Sequence, residues 1–278
     1  MGVGVGGCRG LELSVLELEP FKVRFIAQGI GVAFANALRR IMIAETPCMA
    51  IDEVAVIENS SVLYDEILAH RLAMIPLTTP EDKYELPSQC TCKGRGCSKC
   101  QARLFLDVRW DGEGVRTVYS GDLKPEDPEV APVFKDIPIV KLTRGQSVVL
   151  EAYATLGVGR DHAKWQPTSA CAYKYMPVIT IDASKCNGCG ACVESCPKRL
   201  LDASGGSVKV LRAVECSLCL ECEKACEEGA IRVGWDETSF IFYVETTGTM
   251  KASTLVAKAA RILRSKAEDF LQKLASAG

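Results

Sequence analysis

The sequence predicts an α+β fold, because segments with helical and with strand periodicity both occur along its 278 residues. In 32–45 and again in 251–275, apolar residues recur at the three- and four-residue spacing of one helix face. Runs that alternate or are rich in β-branched residues lie between these two helices. A cysteine-rich segment, 185–229, predicts an additional small metal-binding module.

Composition limits the classes of protein that the chain can represent. With 48% hydrophobic residues it has enough material for the cores of two or three domains. Its formal net charge is only −2, so it lacks the basic surface that binds nucleic-acid phosphates, and we expect no direct sequence-specific DNA binding. Residues 1–10 are expected to form a flexible leader. The sequence indicates no signal peptide and no membrane span, so we expect a cytoplasmic protein without membrane contact.

Local periodicity and turn residues define the remaining elements. Glu19 and Pro20 predict a hairpin between the first two strands, and Pro47 ends the first helix because proline cannot extend it. A proline-rich stretch, 124–138, predicts a loop. Strands are expected at 11–18, 21–28, 49–58, 103–110, 115–120, 147–156, 178–181, 207–211, 230–233 and 238–246, and helices at 32–45, 64–74 and 251–275.

Both end helices are predicted to be amphipathic. The apolar face of the first is expected to consist of Phe34, Ala37, Leu38, Ile41 and Met42, opposite Asn36, Arg39 and Arg40. The last helix carries a stripe formed by Val256, Ala259, Leu263, Ala267, Phe270 and Leu274. This stripe extends over about five turns, which is more than one short helix of the same chain covers, so it favours a partner.

Fifteen cysteines favour metal ligation over disulfides in a chain expected to be intracellular. Twelve of them form three spaced groups, and no role is assigned to Cys8, Cys48 and Cys171.

The first group lies in the loop-like stretch 78–101, and we call it the loop tetrad: Cys90, Cys92, Cys97 and Cys100. Its spacing allows four thiolates to surround one ion, which favours a structural Zn²⁺. The spacing from Cys92 to Cys100 is also that of a plant-type iron–sulfur cluster, whose fourth ligand comes from far along the chain. Because Cys90 lies directly beside the other three, zinc is preferred, and the iron cluster and free thiols are the alternatives.

The other eight cysteines form two runs with the spacing of bacterial ferredoxins, in which the fourth cysteine of each run ligates the cluster of the other run. Two [4Fe–4S] clusters are therefore expected, with a [3Fe–4S] form on oxidation. The second run has Glu227 in place of the usual proline, which removes no ligand. The first cysteine group is Cys186, Cys189, Cys192 and Cys226, and the second cysteine group is Cys196, Cys216, Cys219 and Cys222.

Several motifs occur together in one order. The hexapeptide N-A-L-R-R-I at 36–41 is followed by A-E-T-P at 44–47, A-I-D-E-V at 50–54 and D-E-I-L-A-H-R-L-A-M-I-P-L at 65–77. This order resembles the alpha-like assembly subunits of cellular RNA polymerases, in their archaeal D form with a ferredoxin-like domain. The string G-x-G-x-x-H-A-K-W-x-P at 157–167 extends the resemblance, and its His162 lacks a nucleophile that would favour catalysis.

The resemblance implies a discontinuous architecture. A dimerisation domain would comprise 11–48 and 235–278, and a β-rich insert domain would comprise 49–175 and 230–234, with a zinc loop at 88–101. An inserted ferredoxin-like domain would occupy 176–229.

The implied function is that of a non-catalytic assembly subunit. Such subunits form a heterodimer with the small alpha-like subunit L, and the pair nucleates assembly of the large catalytic subunits, where nucleotide transfer takes place. The alternative is a ferredoxin-type electron-transfer protein or oxidoreductase subunit, although no flavin or nicotinamide fingerprint is present. By analogy with the family, the subunit interface would contain Phe34, Leu38, Arg39, Arg40, Ile41, Arg71, Val256, Leu263 and Phe270.

Overall fold

A computed structural model describes residues 10–203 and 206–277; most of the predicted leader, with Cys8, lies outside the described residues. The helices are α1 (Val32–Ala44), α2 (Asp65–Ala73), α3 (Ala191–Glu194), α4 (Glu221–Lys224) and α5 (Ala252–Ala277). The strands are β1 (Glu12–Leu18), β2 (Lys22–Gln28), β3 (Cys48–Asn59), β4 (Gln101–Trp110), β5 (Arg116–Tyr119), β6 (Lys124–Pro125), β7 (Pro138–Leu142), β8 (Gln146–Gly157), β9 (Thr168–Ile181), β10 (Leu201–Asp202), β11 (Lys209–Val210) and β12 (Ile231–Thr246).

The strands of the described chain form four sheets. Two of them are four-stranded, in the orders β1-β2-β12-β9 and β3-β8-β4-β6, and two are two-stranded, β5-β7 and β10-β11. In the second large sheet, β8 pairs antiparallel with both β3 and β4. Along β4 every second residue is buried, so one face of this strand packs on a core and the other is exposed. The mixture of sheets and helices confirms the predicted α+β class.

The chain divides into two compact units. Within the described residues, the smaller unit contains 10–17, 24–36 and 172–243, and therefore both cysteine runs and most of the β1-β2-β12-β9 sheet. The larger unit contains 18–23, 37–171 and 244–277, and therefore the β3-β8-β4-β6 sheet, the loop tetrad, most of α1 and all of α5.

Each unit has its own core. The main cluster of the larger unit is aliphatic, with fully buried Leu68, Leu72, Leu104 and Leu150 among its members, and the buried cysteines Cys48, Cys90 and Cys100 of this unit lie outside it. The core of the smaller unit is built partly from thiols. Its buried residues are Cys192, Leu200, Leu201, Val208, Cys216, Cys222, Ile231 and Val233.

Two strands are longer than the sequence predicted. The expected strands at 230–233 and 238–246 form the single strand β12, which continues through Gly234 and Asp236. Because β12 lies between β2 and β9, neighbours on both sides hold it extended. The expected strand at 178–181 is only the end of β9, and Pro177 is tolerated there because β9 is an edge strand. Strand β7 directly follows the predicted loop and was missed.

The buried face of α1 also differs from the predicted one. Ala35, Leu38, Ile41 and Met42 are buried, whereas Phe34 is 42% exposed and Ala37 is half-buried. Assigning Phe34 to the dry face within this chain was therefore wrong, because the helix packs along the line through Ala35, Leu38 and Met42 instead.

Candidate metal centres and subunit surfaces

The loop tetrad brings four sulfur atoms together in the larger unit. All four lie within 4.8 Å of one another, and the Sγ atoms of Cys90 and Cys97, and of Cys92 and Cys100, are 3.5 Å apart. Ligands 2.3 Å from a tetrahedral zinc lie about 3.8 Å apart, so this spacing fits a single ion. The turns that place the sulfurs are closed by backbone hydrogen bonds from Lys93 to Cys90 (2.9 Å) and from Cys100 to Cys97 (3.0 Å).

The thiols of the tetrad differ in their pKa. A hydrogen bond from Cys100 lowers the pKa of the Cys92 thiol to about 6, whereas burial raises the pKa of Cys100 to about 12. A metal ion needs thiolate ligands, so binding here releases protons from the remaining thiols. The chemistry of this donor set is that of a soft or borderline cation such as Zn²⁺.

A clasp of polar side chains holds the start of the tetrad loop. Tyr84 donates its hydroxyl hydrogen bond to Asp127 at 2.5 Å, and Lys83 pairs with Asp127 and Glu129. Partial burial opposes ionisation of Asp127, but the hydrogen bonds from Tyr84 and Lys83 outweigh it and lower the pKa of this carboxyl. The clasp could not be predicted from the sequence, since its partners are more than forty residues apart.

The two cysteine runs of the smaller unit fold into closely similar loops. A short helix follows each run's first two ligands, α3 after Gly190 and α4 after Leu220. Both residues have left-handed backbone conformations, with φ of 80° at Gly190 and 64° at Leu220. Leucine is strained by roughly 1–2 kcal/mol in this region, so the second loop keeps the geometry although it lacks the glycine.

The described cysteines of the module have two separate sets of neighbours. The charges that act on Cys192 come from Cys226, Cys186 and Cys189, whereas those acting on Cys222 come from Cys196, Cys216 and Cys219. Burial is the larger cause in both cases; it raises the pKa of Cys192, and it raises the pKa of Cys222 to about 11. These sets have the same membership as the first and second cysteine groups.

The surroundings of the sulfurs also fit an iron–sulfur cofactor. Three backbone N–H groups donate hydrogen bonds to cysteine sulfurs. The donors and acceptors are Leu200 and the Sγ of Cys196 (3.5 Å), Leu218 and the Sγ of Cys216 (3.4 Å), and Ala230 and the Sγ of Cys226 (3.3 Å). Such hydrogen bonds stabilise thiolate ligands of clusters. All four cysteines of the second group line a recess of about 370 Å³, including its open mouth, together with apolar side chains such as Ile179 and Val233.

The long helix α5 changes character along its length. Ala252, Leu255 and Ala259 are fully buried in the larger unit, and Val256 and Leu263 are half-buried. Beyond them Phe270 is 62% exposed, Leu271 63% and Leu274 55%. The second half of the predicted stripe is thus apolar and uncovered by the described part of this chain.

The three predicted interface arginines have different surroundings. Arg40 is exposed and Arg39 is half-buried on α1. Arg71, on α2, donates to the carbonyl oxygens of Ile139 (2.8 Å) and Pro138 (2.7 Å), so it has partners within its own chain.

The glycine-rich string at 157–167 has a structural role within the larger unit. Arg160 donates its backbone N–H to the Ala44 carbonyl at the end of α1 (2.9 Å), and a Cβ at Gly159 would lie 2.3 Å from the Ile43 carbonyl oxygen. Lys164 lies over the Trp165 ring and pairs with Asp52 at 2.5 Å. The string therefore caps α1.

Among the described residues no helix is long and apolar enough to cross a membrane.

Comparison with known proteins identifies the class of protein that this fold represents. The family model of the RNA polymerase Rpb3/Rpb11 dimerisation domain matches residues 24–267, which include all of α1 and the first part of α5. The fold is therefore that of a dimerising subunit of an RNA polymerase. The chain belongs to the Rpb3/Rpb11 dimerisation family.

Sequence similarity to individual relatives extends over nearly the whole chain. The DNA-directed RNA polymerase subunit Rpo3 of Archaeoglobus fulgidus is 45% identical over 93% of this chain and 96% of its own length. Its counterparts in Methanosarcina acetivorans and Pyrobaculum aerophilum are each 42% identical over 94% of this chain, and over 97% and 95% of their own lengths. These findings confirm the predicted polymerase assembly subunit, part of a nucleotidyltransferase complex, and do not favour the electron-transfer alternative.

Proposed function

We propose that this chain is the non-catalytic D-type subunit of an archaeal RNA polymerase, which pairs with the small alpha-like subunit L. The pair nucleates assembly of the large catalytic subunits in the cytoplasm, and nucleotide transfer takes place in those subunits. The observation that carries the proposal is the family match, which covers 24–48 and 235–267 of the predicted dimerisation segments at the two chain ends.

The exposed end of α5 supports pairing through this helix. Phe270, Leu271 and Leu274 leave more than half of their surface in water. Covering an apolar side chain of this size stabilises a complex by about 2 kcal/mol. Exposed Phe34 on α1 offers a further apolar contact, and Arg39 and Arg40 offer charged ones, in the interface we propose.

Pairing can be tested by co-purification of tagged variants with subunit L. We expect Leu263→Glu to abolish pairing, because a charge buried in a helix interface costs several kcal/mol. The matched control is Gln272→Glu, which adds the same charge to an exposed position two turns further along α5. Retention of subunit L by Leu263→Glu, or its loss in both variants, would contradict an interface on this stripe.

We further propose that 176–229 is a ferredoxin-like domain holding two [4Fe–4S] clusters, one on each cysteine group, with conversion to [3Fe–4S] on oxidation. The two neighbourhoods of cysteines, the N–H···S bonds and the recess around the second group support this occupancy. The loop tetrad would hold one Zn²⁺, within an insert domain at 49–175 and 230–234. The dimerisation domain would comprise 11–48 and 235–278.

Metal content tests these assignments. Anaerobically purified protein is expected to contain about eight iron atoms and about one zinc per chain, since each cubane carries four irons and the tetrad one ion. Four or fewer irons under strict exclusion of oxygen would contradict the two-cluster assignment. Oxidation by air is excluded as the cause if the count is unchanged after reconstitution with iron and sulfide.

A further inference from the structure

The turn before Cys216 is held by a lysine from the neighbouring sheet. Lys174 of β9 donates from its Nζ to the carbonyl oxygens of Val214 (2.7 Å) and Cys216 (2.8 Å). Both acceptors are neutral, and among the described residues no carboxylate lies within ion-pair distance of Lys174. The half-buried ammonium therefore places a positive charge, with carbonyl oxygens as its hydrogen-bond acceptors, against the backbone of a residue in the second cysteine group.

A second cation reaches the same turn. Arg24 of β2 pairs with Glu215 at 3.0 Å, and this hydrogen bond lowers the pKa of the Glu215 carboxyl. Glu215, the carboxylate of this turn, therefore has Arg24 as its ion-pair partner. Burial lowers the pKa of Lys174, while the nearby charges of Glu215 and Cys216 act against that effect.

The corresponding turn of the first group is organised differently. Before Cys186, the carboxylate of Asp182 accepts hydrogen bonds from the backbone and hydroxyl of Ser184 (3.0 and 2.6 Å), and these lower its pKa. Lys185 beside it is exposed and 3.9 Å from Asp182. The first ligand turn is thus organised by an exposed carboxylate that has Lys185 as its own counter-ion, and the second by the half-buried ammonium of Lys174, although their cysteine spacings are identical.

We propose that Lys174 is a positioning residue that fixes the backbone at Cys216 and makes the second cysteine group the site of the cluster that is reduced at the higher potential. The inference rests on the proposed iron–sulfur occupancy. One-electron reduction adds a negative charge to a cluster, and a nearby cation in a partly dehydrated site stabilises that charge. The electron comes from an external one-electron donor; no group in this chain is consumed.

The test is a potentiometric titration of the anaerobic full-length protein, followed by electron paramagnetic resonance. The wild-type protein is expected to show two midpoint potentials. Lys174→Met should lower the higher one and leave the other unchanged, and Lys174→Arg, which keeps the charge, should restore it. The matched control is Lys185→Met, which removes an exposed lysine beside a ligand of the first group and should leave the higher potential unchanged.

Each outcome has a defined meaning. Loss of about four irons in Lys174→Met, with full iron content in Lys174→Arg, would support the positioning role. Eight irons with both potentials unchanged, or an equal shift of both, would overturn the inference. Wild-type protein that contains far fewer than eight irons would contradict the proposed cluster occupancy itself, and the inference would fall with it.

Discussion

In the loop tetrad four sulfurs lie within 4.8 Å of one another, whereas among the described residues no three sulfurs of either cysteine group lie that close. A single ion needs ligands that almost touch, while a cluster of several irons keeps its thiolates apart. This difference in sulfur spacing is the one expected if, as proposed, the tetrad holds a single ion and each cysteine group a larger cluster.

The surroundings of the two regions differ as well. The tetrad loop is attached to a sheet whose aliphatic cluster contains none of the four tetrad cysteines, although Cys90 and Cys100 are themselves buried, and the clasp around Asp127 holds the start of the loop. In the smaller unit three of the eight buried core residues are the cysteines Cys192, Cys216 and Cys222. Loss of metal should therefore be a local event in the first region and a loss of fold in the second.

The largest effect is expected from the double change Cys186→Ser and Cys216→Ser. Both clusters should be lost and 176–229 should unfold, because a small domain with so few other buried groups depends on metal binding for its stability. Pairing with the small partner should persist, while incorporation into the polymerase weakens. Hydrogen exchange and co-purification measure the two effects, with Cys171→Ser, outside both groups, as the control. Loss of the small partner would contradict the separation.

An intermediate effect is expected from Cys97→Ser. This variant should lose zinc and the protection of amides in the tetrad loop, but keep the visible iron–sulfur absorption and the β3-β8-β4 sheet, because the core beneath the loop contains no metal ligand. Metal analysis and hydrogen exchange provide the readouts, and Ser98→Ala at the adjacent exposed position is the control. If iron falls together with zinc, the plant-type cluster becomes the better assignment for this loop.

The smallest effect concerns the first ligand loop of the smaller unit. Gly190→Ala should destabilise the first loop by about 1 kcal/mol, since φ is positive there and a Cβ meets nothing within 4 Å. Gly188→Ala should cost more, because its Cβ would lie 2.9 Å from the Gly206 carbonyl oxygen. Denaturant titrations that follow cluster absorption measure both. Equal losses would show that space at Gly188 does not limit the loop.

Much of the fold could be predicted from local pattern. The hairpin of β1 and β2 and the helices α1, α2 and α5 lie within a few residues of their predicted positions. The predictions failed where neighbours override local signals, as in β12 across Gly234 and in β9 across Pro177. The face of α1 was misjudged at Phe34, since a single turn of helix offers several apolar lines and only packing selects one.

The sequence by itself was enough to predict the fold class, the family and the cysteine groups. The groups could be predicted because ligands two to four residues apart are brought together by one turn of backbone. Only the tertiary structure decided that Lys174 binds the carbonyls of Val214 and Cys216, that Arg71 binds those of Pro138 and Ile139, and that α5 is buried only in its first half. These contacts join residues forty or more positions apart, and such pairs are defined by the order and pairing of the strands and not by any local spacing.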